Sequence, residues 1–191
     1  MTASQLERRR RVLAAVIELV SKGGLDAAGM KEIAERSGVA LGTIYRYFSS
    51  RDHVVAAALV EWARGLEPRL ARRPAAESPT PAARISVILH EAMRAYQRDP
   101  SFARALILAA HSTDPFAGEC YEELGRLVNG ILGAALEPLE PAERERVLQV
   151  LGAVWYHAIV QWVNGRMTIG QVFTLLDNAV DLLLRGTRVT V

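Results

Sequence analysis

The chain has 191 residues, half of them hydrophobic, enough for one compact unit or a small module joined to a medium one. A single cysteine, Cys120, excludes an intramolecular disulfide, and a polar then basic start without an apolar run argues against a secretion signal; both fit a cytoplasmic protein. The net charge of +2 hides an uneven spread, because residues 1–51 carry nine Lys/Arg against five acids while the remainder carries 14 basic and 16 acidic residues, the pattern of a nucleic-acid-binding head on a mildly acidic body.

Taken in order, the elements read as helical throughout, with no β-alternation. Leu13, Val16, Ile17 and Val20 form one apolar stripe of a helix from about Ser4 to Lys22. Gly23-Gly24 ends it. A second helix, about Gly29–Ser37, presents Met30, Ile33 and Ala34, and Gly38 stops it. A third spans about Leu41–Phe48. Ser49 is placed to cap a fourth, with Asp52 as its reciprocal partner, running to about Leu66. A proline-rich stretch predicts a loop at about Arg73–Pro79. Helices follow at about Pro81–Arg98, Pro100–Ala110, Pro115–Leu136 and Pro141–Asn164, each opened by a proline whose missing N–H is harmless in a first turn. The last covers about Thr168–Arg185. The expected fold class is therefore all-α with about nine helices. The expected division is 1–50 for the head and 51–191 for the rest. The most apolar stretch, Val147–Val163, is interrupted by Gln149, His157 and Gln161 and is short for a bilayer, so no membrane partner is expected.

The string GVALGTIYRYF, Gly38–Phe48, carries the chemistry. Ala34, Gly38 and Ile44 have the spacing of a helix-turn-helix: a small residue for close crossing, a glycine for a left-handed turn, an aliphatic plug. At 100° per residue, Ile44 and Phe48 face inward with Val39 closing the core. Gly42, Thr43 and Arg46 then face outward, flanked by Tyr45 and Tyr47. Gly42 lets a backbone approach closely. Thr43 can meet a base edge or a thymine methyl, and Arg46 a guanine or a phosphate. The tyrosine hydroxyls can donate to phosphate oxygens. Arg8 to Arg11, Arg9 and Arg10 among them, lie ahead of the first stripe, where they can touch backbone or an adjacent groove.

These residues, with AAVIELVSKGGLDAAGMKEIAERS before them and SSRDHVVAAAL after, resemble the DNA-binding head of tetracycline-repressor (TetR) family regulators over about residues 8–59. The resemblance implies a homodimer on a palindromic double-stranded operator, released when a small molecule binds the second domain. It implies phosphate contacts from the start of the second helix, near Lys31, and from Arg51, where lysine is usual. Two positions depart from the pattern. Ala28 replaces a common capping threonine. Leu41 replaces a polar or basic residue and shifts preference toward thymine methyls.

In the C-terminal part, two helices are apolar round much of their circumference, so a partner subunit is expected to cover what one core cannot. Val154, Ile159, Val172, Leu176, Val180 and Leu183 are candidates for that interface. Met93, Tyr96, Phe102, His111, Tyr121, Trp155 and Trp162 are candidates for an apolar effector pocket with a few orienting groups. The segment VWYHAIVQWVNGRMTIGQVFTLLDNAVDLLL is similar to the C-terminal part of actinobacterial repressors of sterol catabolism, which implies a bulky hydrophobic effector such as a steroid or an acyl-CoA-like thioester. No catalytic constellation, metal-ligand spacing or cofactor motif stands out, and neither an enzyme nor a bound cofactor or metal is expected. The rival reading is a helical interaction module that uses its basic surface on acidic proteins.

Overall fold

The computed structural model describes residues 2–72, 80–137 and 139–185. The loop expected at Arg73–Pro79 lies outside the described residues. Among those described, nine α-helices and one 3-10 turn account for the architecture: α1 Ala3–Gly23, the 3-10 turn Leu25–Ala27, α2 Met30–Ser37, α3 Leu41–Tyr45, α4 Arg51–Arg72, α5 Pro81–Arg98, α6 Pro100–His111, α7 Pro115–Ala135, α8 Pro141–Val163 and α9 Ile169–Leu184.

Local chemistry explains most boundaries. Thr2 and Gln5 form a reciprocal capping box at the start of α1, and Thr168 and Gln171 form another at α9. Gly24 and Gly38 take positive φ, +74° and +64°, and end α1 and α2 there. The cap of α4 differs from expectation. Ser50, rather than Ser49, accepts the His53 N–H at 3.1 Å, and Asp52 instead accepts from the Ser112 hydroxyl at 2.8 Å. α4 also continues past Leu66 to Arg72, through Pro68. The third helix ends at Tyr45, three residues early. The Arg46 and Tyr47 amides turn to carbonyls three residues back, tightening the last turn.

The chain forms two compact units, neither continuous in sequence: Met1–Gly65 with Asp99–Gly125, and Leu66–Arg98 with Arg126–Val191. In the first, α1 packs on α2, the 3-10 turn and α6, while α2 packs on α3. Its core holds Val12, Val16, Ile33, Ile44, Phe48, Leu59 and Phe102. The Glu18 carboxylate joins α1 to α2 by accepting from Arg36, and also from Lys22 at 2.8 Å. Those hydrogen bonds, Arg36 first, hold the Glu18 carboxyl down at about 2. In the second unit α9 packs on α8 and α5 around Leu89, Met93, Leu151, Trp155 and Leu176.

Candidate nucleic-acid interface

The turn between α2 and α3 is built from backbone chemistry. Gly38 N–H donates to Ala34 O at 3.0 Å, and Val39 N–H donates to the buried Ser37 hydroxyl at 3.2 Å. Val39, Ile44 and Phe48 then close the core beneath α3. Those inward residues dictate the outward face. Gly42, Arg46 and Tyr45 are exposed, Tyr45 by 52%, and Leu41, Thr43 and Tyr47 are half-buried. A methyl built on Gly42 would meet no atom within 4 Å, and Gly42 has no positive φ. Nothing inside the molecule requires glycine there. A requirement for it must come from something that approaches from outside.

Beside this face lies a cleft of about 340 Å³ lined by Gln5, Arg8, Arg9, Thr43, Arg46 and Tyr47. It is bounded by the first turns of α1 on one side and by α3 with the residues just after it on the other. Arg8 is steadied by a 2.9 Å hydrogen bond to Ser4 Oγ, and the Arg9 guanidinium lies 5.4 Å from the Phe48 ring centroid. Three guanidiniums, a hydroxyl and a phenol around one open cleft suit phosphate oxygens and base edges together. Gln5 was missed as a site residue by sequence reasoning. Its signal was spacing, since Gln5 stands four residues before Arg9 on the same helix face.

Other candidates fall elsewhere. Arg10 does not line the cleft and pairs with Glu7 at 3.6 Å on the exposed surface. Lys31 is exposed in the first turn of α2. Arg51 is half-buried, and its guanidinium is engaged within the fold, where Nε donates to Ala28 O at 3.0 Å and Nη2 to Leu25 O. It adds a side-chain donor to the Leu25 carbonyl, which also accepts the Ala28 N–H at 3.1 Å, and to the carbonyl of Ala28, the residue that ends the 3-10 turn.

The pocket candidates divide between the two units. Phe102, His111 and Tyr121 belong to the first unit. There Phe102 is buried and stacked on Trp62 with centroids 4.6 Å apart, Tyr121 packs on a cluster of Ala56, Ala109 and Ala117, and His111 is exposed at the end of α6. Met93, Tyr96, Trp155 and Trp162 belong to the second. There the Trp155 indole N–H donates to the buried Met93 sulfur at 3.2 Å, Tyr96 is buried and Trp162 is half-buried. Met93 and Phe102 are therefore core residues. The interface candidates also divide. Ile159, Val172, Leu176 and Val180 are buried within their own unit and have no surface to offer a partner. Val154 and Leu183 are half-buried, and the apolar side chains left open on the same helices are Val150, 47% exposed, and Leu182, 67% exposed.

A helical chain that presents a short exposed helix, anchored by its aliphatic face and edged by arginines, is a helix-turn-helix DNA-binding protein of the regulator class. Residues 12–58 match the family described as bacterial regulatory proteins, tetR family, and residues 78–183 match the tetracyclin repressor-like C-terminal domain. The chain belongs to the TetR family. It is 35% identical over 182 residues to the HTH-type transcriptional repressor KstR of Rhodococcus jostii, covering 95% of this chain and 84% of that one. It is similar in structure to a TetR transcriptional regulator from Rhodococcus sp. RHA1, with a TM-score of 0.79 and 28% identity over 98% of this chain and all of that one. A likeness of fold extends to Thermus thermophilus FadR, a TetR-family repressor solved with lauroyl-CoA, with a TM-score of 0.74 and 22% identity over 96% of each chain.

Proposed function

We propose that this protein is a ligand-responsive transcriptional repressor that binds a palindromic operator as a homodimer and is released by a hydrophobic small molecule. The observation that carries the reading is the open, glycine-bearing face of α3 beside the arginine-lined cleft. Thr43 and Arg46 are the base-reading candidates. Tyr45, Tyr47, Arg8 and Arg9 hold the backbone, and Gly42 admits it closely. Support for repression comes from the KstR relatives, which are repressors by name. Support for an acyl-CoA-like effector comes from the lauroyl-CoA bound to the FadR neighbour and from the resemblance of the last two helices to sterol-catabolism repressors. For the dimer, Val150 and Leu182 are the exposed apolar anchors on α8 and α9, with Val154 and Leu183 beside them.

Selection of duplexes from a randomised library by the full-length protein tests the reading. The expected product is an inverted repeat with half-sites roughly 34–36 Å, one DNA turn, apart. Tyr47→Ala and Thr43→Ala should lose that duplex while retaining helicity and a cooperative melt. Binding of parent and variants alike to any DNA, without selected sequence, would instead favour an electrostatic module. Lauroyl-CoA and a steroid coenzyme A thioester, titrated into the complex, test the effector class by release of the duplex.

A further inference from the structure

We propose that the turn between α6 and α7 positions the recognition segment, with Asp114 as the positioning residue. The proposal rests on the operator-binding reading above and concerns the first compact unit alone. α3 is five residues long, too short to hold its own orientation by internal hydrogen bonds. Only Ser49 and Ser50 separate Phe48, its last anchoring side chain, from α4. Both serines are held from outside the head. Asp114 Oδ2 accepts from Ser49 Oγ at 2.6 Å and from Ser50 Oγ. The other carboxylate oxygen accepts the Phe116 N–H at 2.9 Å and so caps α7.

Around this clamp the contacts run toward the cleft. Ser49 N–H donates to His53 Nδ1 at 3.1 Å. The His53 ring lies between Phe48, edge-on at 5.2 Å, and Phe116, stacked at 5.3 Å. Phe48 in turn carries Arg9 on its ring. A second strut joins the same turn to α4, since Ser112 Oγ accepts from Asp114 N–H at 3.2 Å and donates to Asp52. One carboxylate thus fixes the two residues that set the angle between α3 and α4, and the chain of contacts from it reaches Arg9 of the cleft through Ser49, His53 and Phe48. The serine hydroxyls hold its carboxyl at about 2, so it is ionised throughout the working range.

Two charge arguments separate positioning from mere charge. Removing a negative group from a DNA-binding unit should, by Coulomb attraction alone, strengthen binding to any duplex. A lost clamp predicts the reverse, and only where side chains must meet particular bases. Asp114→Asn is the informative variant, because its amide oxygen retains the acceptor for Phe116 N–H while an NH2 donor replaces the charged acceptor to which both serine hydroxyls donate. Ser49→Ala removes one of the two clamping hydroxyls with no change of charge.

The experiment measures the affinity of the full-length protein for the duplex that the parent selects from a randomised library and for a scrambled duplex at the same salt, with thermal melting alongside. Each variant should lose about fivefold or more on the selected duplex, the loss expected when one base-reading contact is misplaced. Affinity for the scrambled duplex should stay level or rise. Asp114→Asn binding the selected duplex as well as or better than the parent would overturn the proposal, and so would equal weakening on both duplexes. If Asp114→Asn does not fold, Ser49→Ala decides by the same criteria. A parent that selects no sequence overturns the operator-binding reading and this proposal with it. A parent that selects while both variants keep their affinity overturns this proposal alone.

Discussion

At Gly42 the demands of folding and of function have opposite signs. Folding favours alanine there, since glycine in a helix interior costs about 1 kcal/mol relative to alanine and an added methyl has open space around it. A duplex pressed against α3 favours glycine. Gly42→Ala should therefore raise the melting temperature slightly while weakening operator affinity, and equal operator binding by this variant would remove the close-approach role. Arginines divide in the same way. Arg46 is exposed on the recognition segment, and Arg46→Ala should weaken duplex binding and flatten its dependence on salt. Arg51 faces inward, so Arg51→Ala should cost about 1–2 kcal/mol of stability through two lost charge-assisted hydrogen bonds and leave the salt slope unchanged. Chemical denaturation and binding titrations at several salt concentrations distinguish the two. From the sequence both arginines read as DNA contacts. Only the fold shows that the carbonyls of Leu25 and Ala28, at the two ends of the 3-10 turn, lie within reach of one of them.

Among the elements, the short ones depend most on their neighbours. α3 is oriented by Ile44 and Phe48 beneath it, and both were legible from helical periodicity around Gly38. The polar ties were not. Glu18 and Asp114 have carboxyls held at about 2, against ordinary values of 4.5 and 3.8. Burial lowers His53 from its usual 6.5. All three groups bind protons more weakly in the folded state, so each contributes stability near neutrality that is lost on acidification. The His53 contribution declines as pH falls below 6.5, and the carboxylate contributions decline from about pH 4.5 down to about 2. Melting temperatures recorded from neutral pH to about pH 3 should fall throughout, and Asp114→Asn should flatten the lower part of the curve. On α8 and α9, Val150→Glu or Leu182→Glu should convert dimers to monomers in sedimentation without loss of helicity. Either charge would have to be buried unpaired in a two-fold contact, whereas on a free surface it costs almost nothing.

For the whole molecule, the compact units cut across the linear order. Phe102 and Ala117 help bury the unit that carries the helix-turn-helix, although they lie far beyond it in sequence. A fragment of residues 1–65 should consequently lack a cooperative melt, while the full chain should show one, a comparison that differential scanning calorimetry can make. Reading the head as residues 1–50 and the remainder as a second domain followed the sequence signal, which is local. Helical periodicity, glycine stops, proline starts and the pattern around Gly38 determined the all-α class, nearly every helix and the outward face of α3, because each depends on residues within a turn or two of one another. Which buried residues belong to which core, which arginine turns inward, and how Asp114 reaches Ser49 were decided by the tertiary structure alone. Those facts depend on which helix packs against which, and a helix's own apolar stripe gives its buried face without naming the neighbour that buries it.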